Sequence, residues 1–130
     1  MPDIKKIELL KAKDLETACA QIAASLGLSV RHQVKVGRRV YGPIRHIDVV
    51  VTDESTRKSL GIECKLQVSK GTAEEKIPST FEDIAAWPIP GIVCFTGVGF
   101  SSHIVAYMYA SGKAVEIDDL EDWLRLYFVL

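Results

Sequence analysis

Cysteine is scarce: the 130-residue chain has only Cys19, Cys64 and Cys94. Their odd number, wide spacing and lack of a CxxC pair exclude a disulfide framework and a paired-cysteine zinc site. Three small, buried, apolar thiols in a reducing compartment are expected instead. No apolar run approaches the ~18 residues of a membrane span. The opening Met1-Pro2-Asp3-Ile4-Lys5-Lys6 lacks the apolar core of a signal peptide, so a cytoplasmic protein with no membrane partner is expected. No repeat, linker or low-complexity tract divides the chain, which predicts one domain over 1–130. Neither charge sign dominates, since 16 Lys+Arg face 17 Asp+Glu. That balance counts, at first sight, against a nucleic-acid partner held by bulk charge. The hydrophobic share is 48%, which excludes a disordered chain and suffices for a core without covalent staples.

The pattern that is present alternates between two periods. Ile7, Leu10, Leu15, Ala18, Cys19, Ile22, Ala23 and Leu26 recur at helical spacing, with Gly27 as a C-cap. Leu28–Val36 alternates as a strand, residues 44–52 are β-branched, and Leu60–Val68 alternates strictly. Asp53–Lys58 is a polar turn between the last two. Residues 72–87 are helical in character; Pro78 interrupts them, and Ser79 or Thr80 is placed to restart the helix. Gly91–Thr96 reads as a buried strand, and Ser101 or Ser102 caps a helix through Tyr109. A short strand at Ala114–Ile117 precedes a terminal helix capped by Asp118 or Asp119. The order α-β-β-β-α-β-α-β-α predicts an α/β fold: an early antiparallel meander, later crossovers, and a mixed sheet flanked by helices.

Three charged residues lie inside strands. Asp48 interrupts Ile47 and Val49-Val50-Val51. Glu63 and Lys65 interrupt Gly61-Ile62-Glu63-Cys64-Lys65-Leu66, and their spacing puts them on one side of the sheet. A covered sheet face tolerates ionised groups only when they are paired or hold a metal. Two carboxylates and an ammonium suit Mg²⁺-assisted attack on a phosphate: hard oxygens hold the ion, the ion activates a water, and the lysine serves that water and the developing charge. The same residues also suit a plainer arrangement, an Asp48–Lys65 cross-strand salt bridge with Glu63 left free.

With Glu16 in the first helix, Asp48 in a strand and Glu63-Cys64-Lys65 followed by Gln67 in the next, the chain resembles the PD-(D/E)XK nuclease superfamily. Gly71-Thr72-Ala73-Glu74-Glu75-Lys76-Ile77-Pro78 also resembles a stretch of restriction-type nucleases. The literal Pro-Asp is absent, since His46-Ile47 precede Asp48. The resemblance implies a restriction endonuclease-like fold and a DNA endonuclease dependent on Mg²⁺, with Mn²⁺ as a substitute. It implies that Asp48, Glu63 and the Cys64 backbone carbonyl bind the metal and that Lys65 serves the attacking water. Glu16 would be a supporting or second-metal residue. Gln67 would orient the metal's water shell or contact the substrate. A surface carboxylate near Lys13 is the plainer reading of Glu16, and an exposed strand amide that of Gln67.

Residues 31–46 contain Arg31, Lys35, Arg38, Arg39 and Arg45 and no acid, with His32, His46 and Tyr41 among them. Lying just before Asp48, they are the expected DNA-binding cations, a solvated hairpin tip being the alternative. Glu116, Asp118, Asp119, Glu121 and Asp122 form an opposite acidic pole expected to lie away from DNA, so near-zero net charge conceals two poles. Gly97-Val98-Gly99-Phe100 reads as a tight turn, lacking a full phosphate-loop pattern. His103 reads as a helix-surface imidazole. Residues 123–130 are apolar on nearly all sides. With Trp87, Tyr107 and Tyr109 they suit a homodimer contact through the C-terminal helix, or burial within the monomer. Specificity is expected from loops, dimerisation or a partner protein. A junction-type, structure-specific nuclease and a non-catalytic nuclease-like DNA-binding subunit are the alternative functions.

Overall fold

Apolar residues three and four apart give the first helix one buried stripe. In the computed structural model, which describes residues 11–38, 42–67 and 76–130, α1 spans Ala12–Ser25 and buries Leu15, Ala18, Cys19, Ile22 and Ala23. Its expected first turns, and Arg39, Tyr41 and residues 71–75 of the restriction-type stretch, lie outside the described residues. The Lys11 N–H donates to Asp14 Oδ2 at 2.8 Å, closing the N-terminus. Gly27 ends the helix at φ +84, which lets the Leu28 N–H reach back to the Ala23 carbonyl at 3.1 Å.

Five strands follow the expected order: β1 Ser29–Arg38, β2 Ile44–Asp53, β3 Lys58–Leu66, β4 Gly91–Thr96 and β5 Ala114–Glu116. They form one sheet in the spatial order β1-β2-β3-β4-β5. Short turns make the β1–β2 and β2–β3 pairs antiparallel. Intervening helices α2 (Ile77–Ala85) and α3 (Ser102–Ala110) make the β3–β4 and β4–β5 pairs parallel, as a crossover must. The β2–β3 turn closes on Asp53, whose Oδ1 accepts from the Ser55 N–H and hydroxyl at 3.0 and 2.7 Å.

Two apolar layers sandwich the sheet. α1 and α4 (Leu120–Phe128) cover Val49, Val51, Leu60, Ile62, Cys64, Ile92, Cys94 and Val115. α2 and α3 cover Ile47, Val50, Val93 and Phe95 on the other face. All three cysteines are free and buried. Trp87 lies over Gly61 and Gly91, where an added Cβ would come within 2.7 and 2.4 Å of its ring. Trp87 is thereby buried against the sheet within the monomer.

Three local expectations are corrected. Pro78 lies in the first turn of α2, which begins at Ile77. Proline is tolerated there because its missing N–H would have no intrahelical partner. Ser79 and Thr80 do not restart a helix; both hydroxyls donate to the Lys76 carbonyl, at 2.9 and 3.0 Å. Neither Asp118 nor Asp119 caps the terminal helix with its side chain. Glu116 instead accepts from the Asp118 N–H at 3.1 Å and opens a 3-10 turn over Ile117–Asp119. The third concerns α4, which is amphipathic, not apolar all round. It buries Leu120, Leu124 and Phe128 in its own core and leaves Leu126 exposed. Trp123 and Tyr127 stack at 5.2 Å on its flank. Among the described residues no helix is long and apolar enough to cross a membrane.

Candidate active site

The β2–β3 ladder pairs Asp53 with Lys58 and runs to Val49 opposite Ile62. Just beyond that pair Asp48 comes close enough to Glu63 for its charge to act on it. There the Cys64 N–H donates to Asp48 Oδ2 at 2.9 Å. A side-chain oxygen thus receives a strand donor, fixing the Asp48 carboxylate against the backbone of β3.

Glu63 and Lys65 project from β3 two residues apart, as the alternation requires. Lys65 Nζ lies 3.9 Å from Glu63 Oε2, with side chains 30% and 17% exposed respectively. The plainer Asp48–Lys65 pairing is therefore corrected: the lysine's ionic partner is its strand neighbour. Glu63 Oε1 is buried with no hydrogen-bond partner. Burial, then the negative Asp48 beside it, pushes the Glu63 carboxyl up to about 8.

Glu16 reaches the site from α1. Its Oε1 accepts from Gln33 Nε2 at 2.6 Å, and the same nitrogen lies 3.2 Å from Asp48 Oδ1. Partial burial, and next the charge of Asp48, raise the Glu16 carboxyl above its ordinary value. Gln33 has no counterpart among the residues singled out from the sequence. A glutamine at an outward position of an alternating strand carries no signal of this role.

Gln67 is turned elsewhere. It is buried, not an exposed strand amide, and its Nε2 donates to the Gly99 carbonyl at 2.8 Å. Its backbone carbonyl accepts from the Gly99 N–H at 2.8 Å, so Gln67 is locked to the turn between β4 and α3. Its Oε1 is buried without a partner. Gly97, at φ +120, makes that turn.

The expected DNA-binding cations separate into two groups. Arg31, Lys35 and Arg38 are exposed on the edge strand β1, and Arg38 Nη1 also donates to the Gly42 carbonyl at 2.9 Å. Arg45 is partly buried and pairs with Asp83 of α2 at 3.3 Å. His103 is exposed on α3.

The donor set suits a hard cation. Asp48 and Glu63 offer carboxylate oxygens close to one another, and the buried, unpartnered Glu63 Oε1 is costly without a positive partner. Among the described residues no group of three or more His, Cys, Asp or Glu side chains gathers into a ready metal cage. A cation here would take two carboxylates and complete its shell with backbone carbonyl and water.

Solved structures of other proteins are similar to this chain in fold. The solved structure of AF1548, a protein of unknown function, superposes with TM-score 0.53 at 20% identity, over 78% of this chain and 56% of that one. Protein VC1899 from Vibrio cholerae gives 0.48 at 15% identity, over 85% and 30%. The MspJI restriction endonuclease in complex with a 27-mer oligonucleotide gives 0.41 at 16%, over 88% and 27%. The chain thus spans from about a quarter to just over half the length of these proteins. A search of curated proteins finds no match. The mixed five-strand sheet flanked by helices is the restriction endonuclease-like fold. The family model for a PD-(D/E)XK nuclease superfamily domain matches residues 4–124, and the chain belongs to that superfamily.

Proposed function

We propose that the chain is a DNA endonuclease dependent on Mg²⁺ or Mn²⁺, acting at the Asp48, Glu63 and Lys65 site. Members of the superfamily are generally phosphodiesterase nucleases and typically use divalent metals. The observation that carries the reading is the convergence of Asp48, held by the Cys64 N–H, with a half-buried Glu63 whose buried Oε1 has no partner and whose Oε2 faces Lys65. A structural salt bridge would not need a second half-buried carboxylate beside the first.

Asp48, Glu63 and the Cys64 carbonyl would hold the cation, which supplies Lewis acidity toward the scissile phosphate and a water of lowered pKa. Lys65 would orient the attacking water and offset charge on the phosphoryl oxygens. Attack in line at phosphorus breaks the P–O3′ bond; the 3′ oxygen takes up a proton and the 5′ end keeps the phosphate. Arg31, Lys35 and Arg38 on the exposed edge strand would contact the DNA backbone.

The test offers plasmid, linear and four-way-junction DNA to the purified protein with Mg²⁺ or Mn²⁺. Metal-dependent cleavage that is lost in Asp48→Ala, Glu63→Ala and Lys65→Ala, each still folded by circular dichroism, is the expected result. Cleavage that persists in all three refutes the site. Metal-dependent DNA binding without turnover by the wild type would identify a non-catalytic subunit instead.

A further inference from the structure

Gln33 lies in the middle of β1, yet its φ is +50. A non-glycine residue stays in that left-handed region only when its surroundings hold it there. Pairing with β2 matches His32 with Val49 and Val34 with Ile47, and the position between them sets Gln33 opposite Asp48. Gln33 is exposed, so burial of apolar surface does not offset the backbone strain.

Its hydrogen bonds do. Nε2 carries two N–H donors, and two carboxylates are within reach: Glu16 Oε1 at 2.6 Å and Asp48 Oδ1 at 3.2 Å. The flipped amide would set its carbonyl oxygen against both carboxylates, so the acceptors themselves fix the orientation. Asp48 is thereby gripped from both sides, Oδ1 by Gln33 and Oδ2 by the Cys64 N–H. The carboxamide lies at the wall of a cleft of about 350 Å³ that also takes in Lys13, Glu16, Thr17 and His32.

We infer that Gln33 is a positioning residue: its carboxamide tethers Glu16 of α1 to Asp48 of β2 and fixes the Asp48 carboxylate for ligation. The cation it would serve rests on the nuclease reading above, whereas the tether belongs to the metal-free fold. Without the carboxamide, two like charges face each other with no donor between them, and Asp48 is free to rotate about its remaining bond.

The test uses the full chain with Gln33→Met, which keeps side-chain length and removes the donors, Gln33→Gly, which also relieves the backbone, Glu16→Gln, and the Gln33→Met/Glu16→Gln double variant. Melting in EDTA should show Gln33→Met losing a few degrees, Glu16→Gln alone near wild type, and the double variant regaining most of the loss. Gln33→Gly should melt no lower than Gln33→Met. Calorimetric Mn²⁺ affinity should fall about tenfold in both Gln33 variants, the scale of lost orienting partners around metal ligands. Strictly additive melting shifts, or wild-type Mn²⁺ affinity in Gln33→Met, overturn the inference. A wild type that binds no Mn²⁺ but keeps the non-additive melting refutes the metallonuclease reading and leaves the tether standing.

Discussion

Replacing Gly97 by alanine should be among the most damaging single-methyl additions in this protein. A Cβ at Gly97 would stand 2.1 Å from the Gln67 carbonyl oxygen and 2.7 Å from its carbon. Both are backbone atoms, so no side-chain rotation relieves the overlap. The φ of +120 is itself unfavourable for an L side chain, at about 1–3 kcal/mol. Moving Gln67 away sacrifices its paired bonds with Gly99, both 2.8 Å, each worth about 1 kcal/mol. The loss should therefore be roughly 3–5 kcal/mol, or a fall in Tm of about 10–20 °C for a domain of this size. Gly112 is the control. It too has positive φ, +70, but nothing lies within 4 Å of its added Cβ, so Gly112→Ala should cost about 1–2 kcal/mol. Thermal denaturation of both variants by circular dichroism decides the matter. Equal losses, or a Gly97→Ala protein melting within a few degrees of wild type, would refute the claim that the β4–α3 turn is pinned on Gln67.

Further outcomes follow from the site and its surroundings. Glu63 has a carboxyl raised from 4.5 to about 8 in the fold, so the folded state binds its proton more tightly than the unfolded chain. Metal-free stability should be fullest below pH ~4.5 with respect to this group and decline as pH rises through about 8, by a few kcal/mol at ~1.4 kcal/mol per pH unit. Urea titrations across that range should show the decline, and Glu63→Gln should flatten it; an unchanged slope in Glu63→Gln would show that another group is responsible. Asp48→Asn keeps an oxygen for the Cys64 N–H but turns an NH2 group toward Gln33 Nε2, and should lose about 1–3 kcal/mol of stability together with cleavage; substantial activity in this variant would remove Asp48 from the chemistry. Gly61→Ala and Gly91→Ala both drive a methyl into the Trp87 ring and should each cost about 1–3 kcal/mol of stability, read from denaturant midpoints. Arg45→Ala breaks a partly buried ion pair with Asp83 and should lower Tm. Arg31→Ala and Lys35→Ala should leave Tm unchanged but weaken DNA binding and reduce its salt slope by about one unit each, measured by fluorescence anisotropy.

The sequence alone determined the order of elements, because each amphipathic period reports which face of a segment meets the core. It also determined that Asp48, Glu63 and Lys65 are out of place in apolar strands, since a charge there needs a reason. Only the tertiary structure decided how they meet. Register is a relation between strands, and it is register that sets Asp48 against the Cys64 N–H and leaves Lys65 to Glu63. Arg45 looks like its basic neighbours in the sequence, but packing α2 on the sheet gives it Asp83. Gln67 continues the alternation of the motif strand, yet Gly97 draws it into a turn formed about thirty residues later. Gln33 was illegible for a different reason. Glutamine has no propensity for positive φ, so its left-handed backbone is imposed by two carboxylates that only folding brings to the same nitrogen.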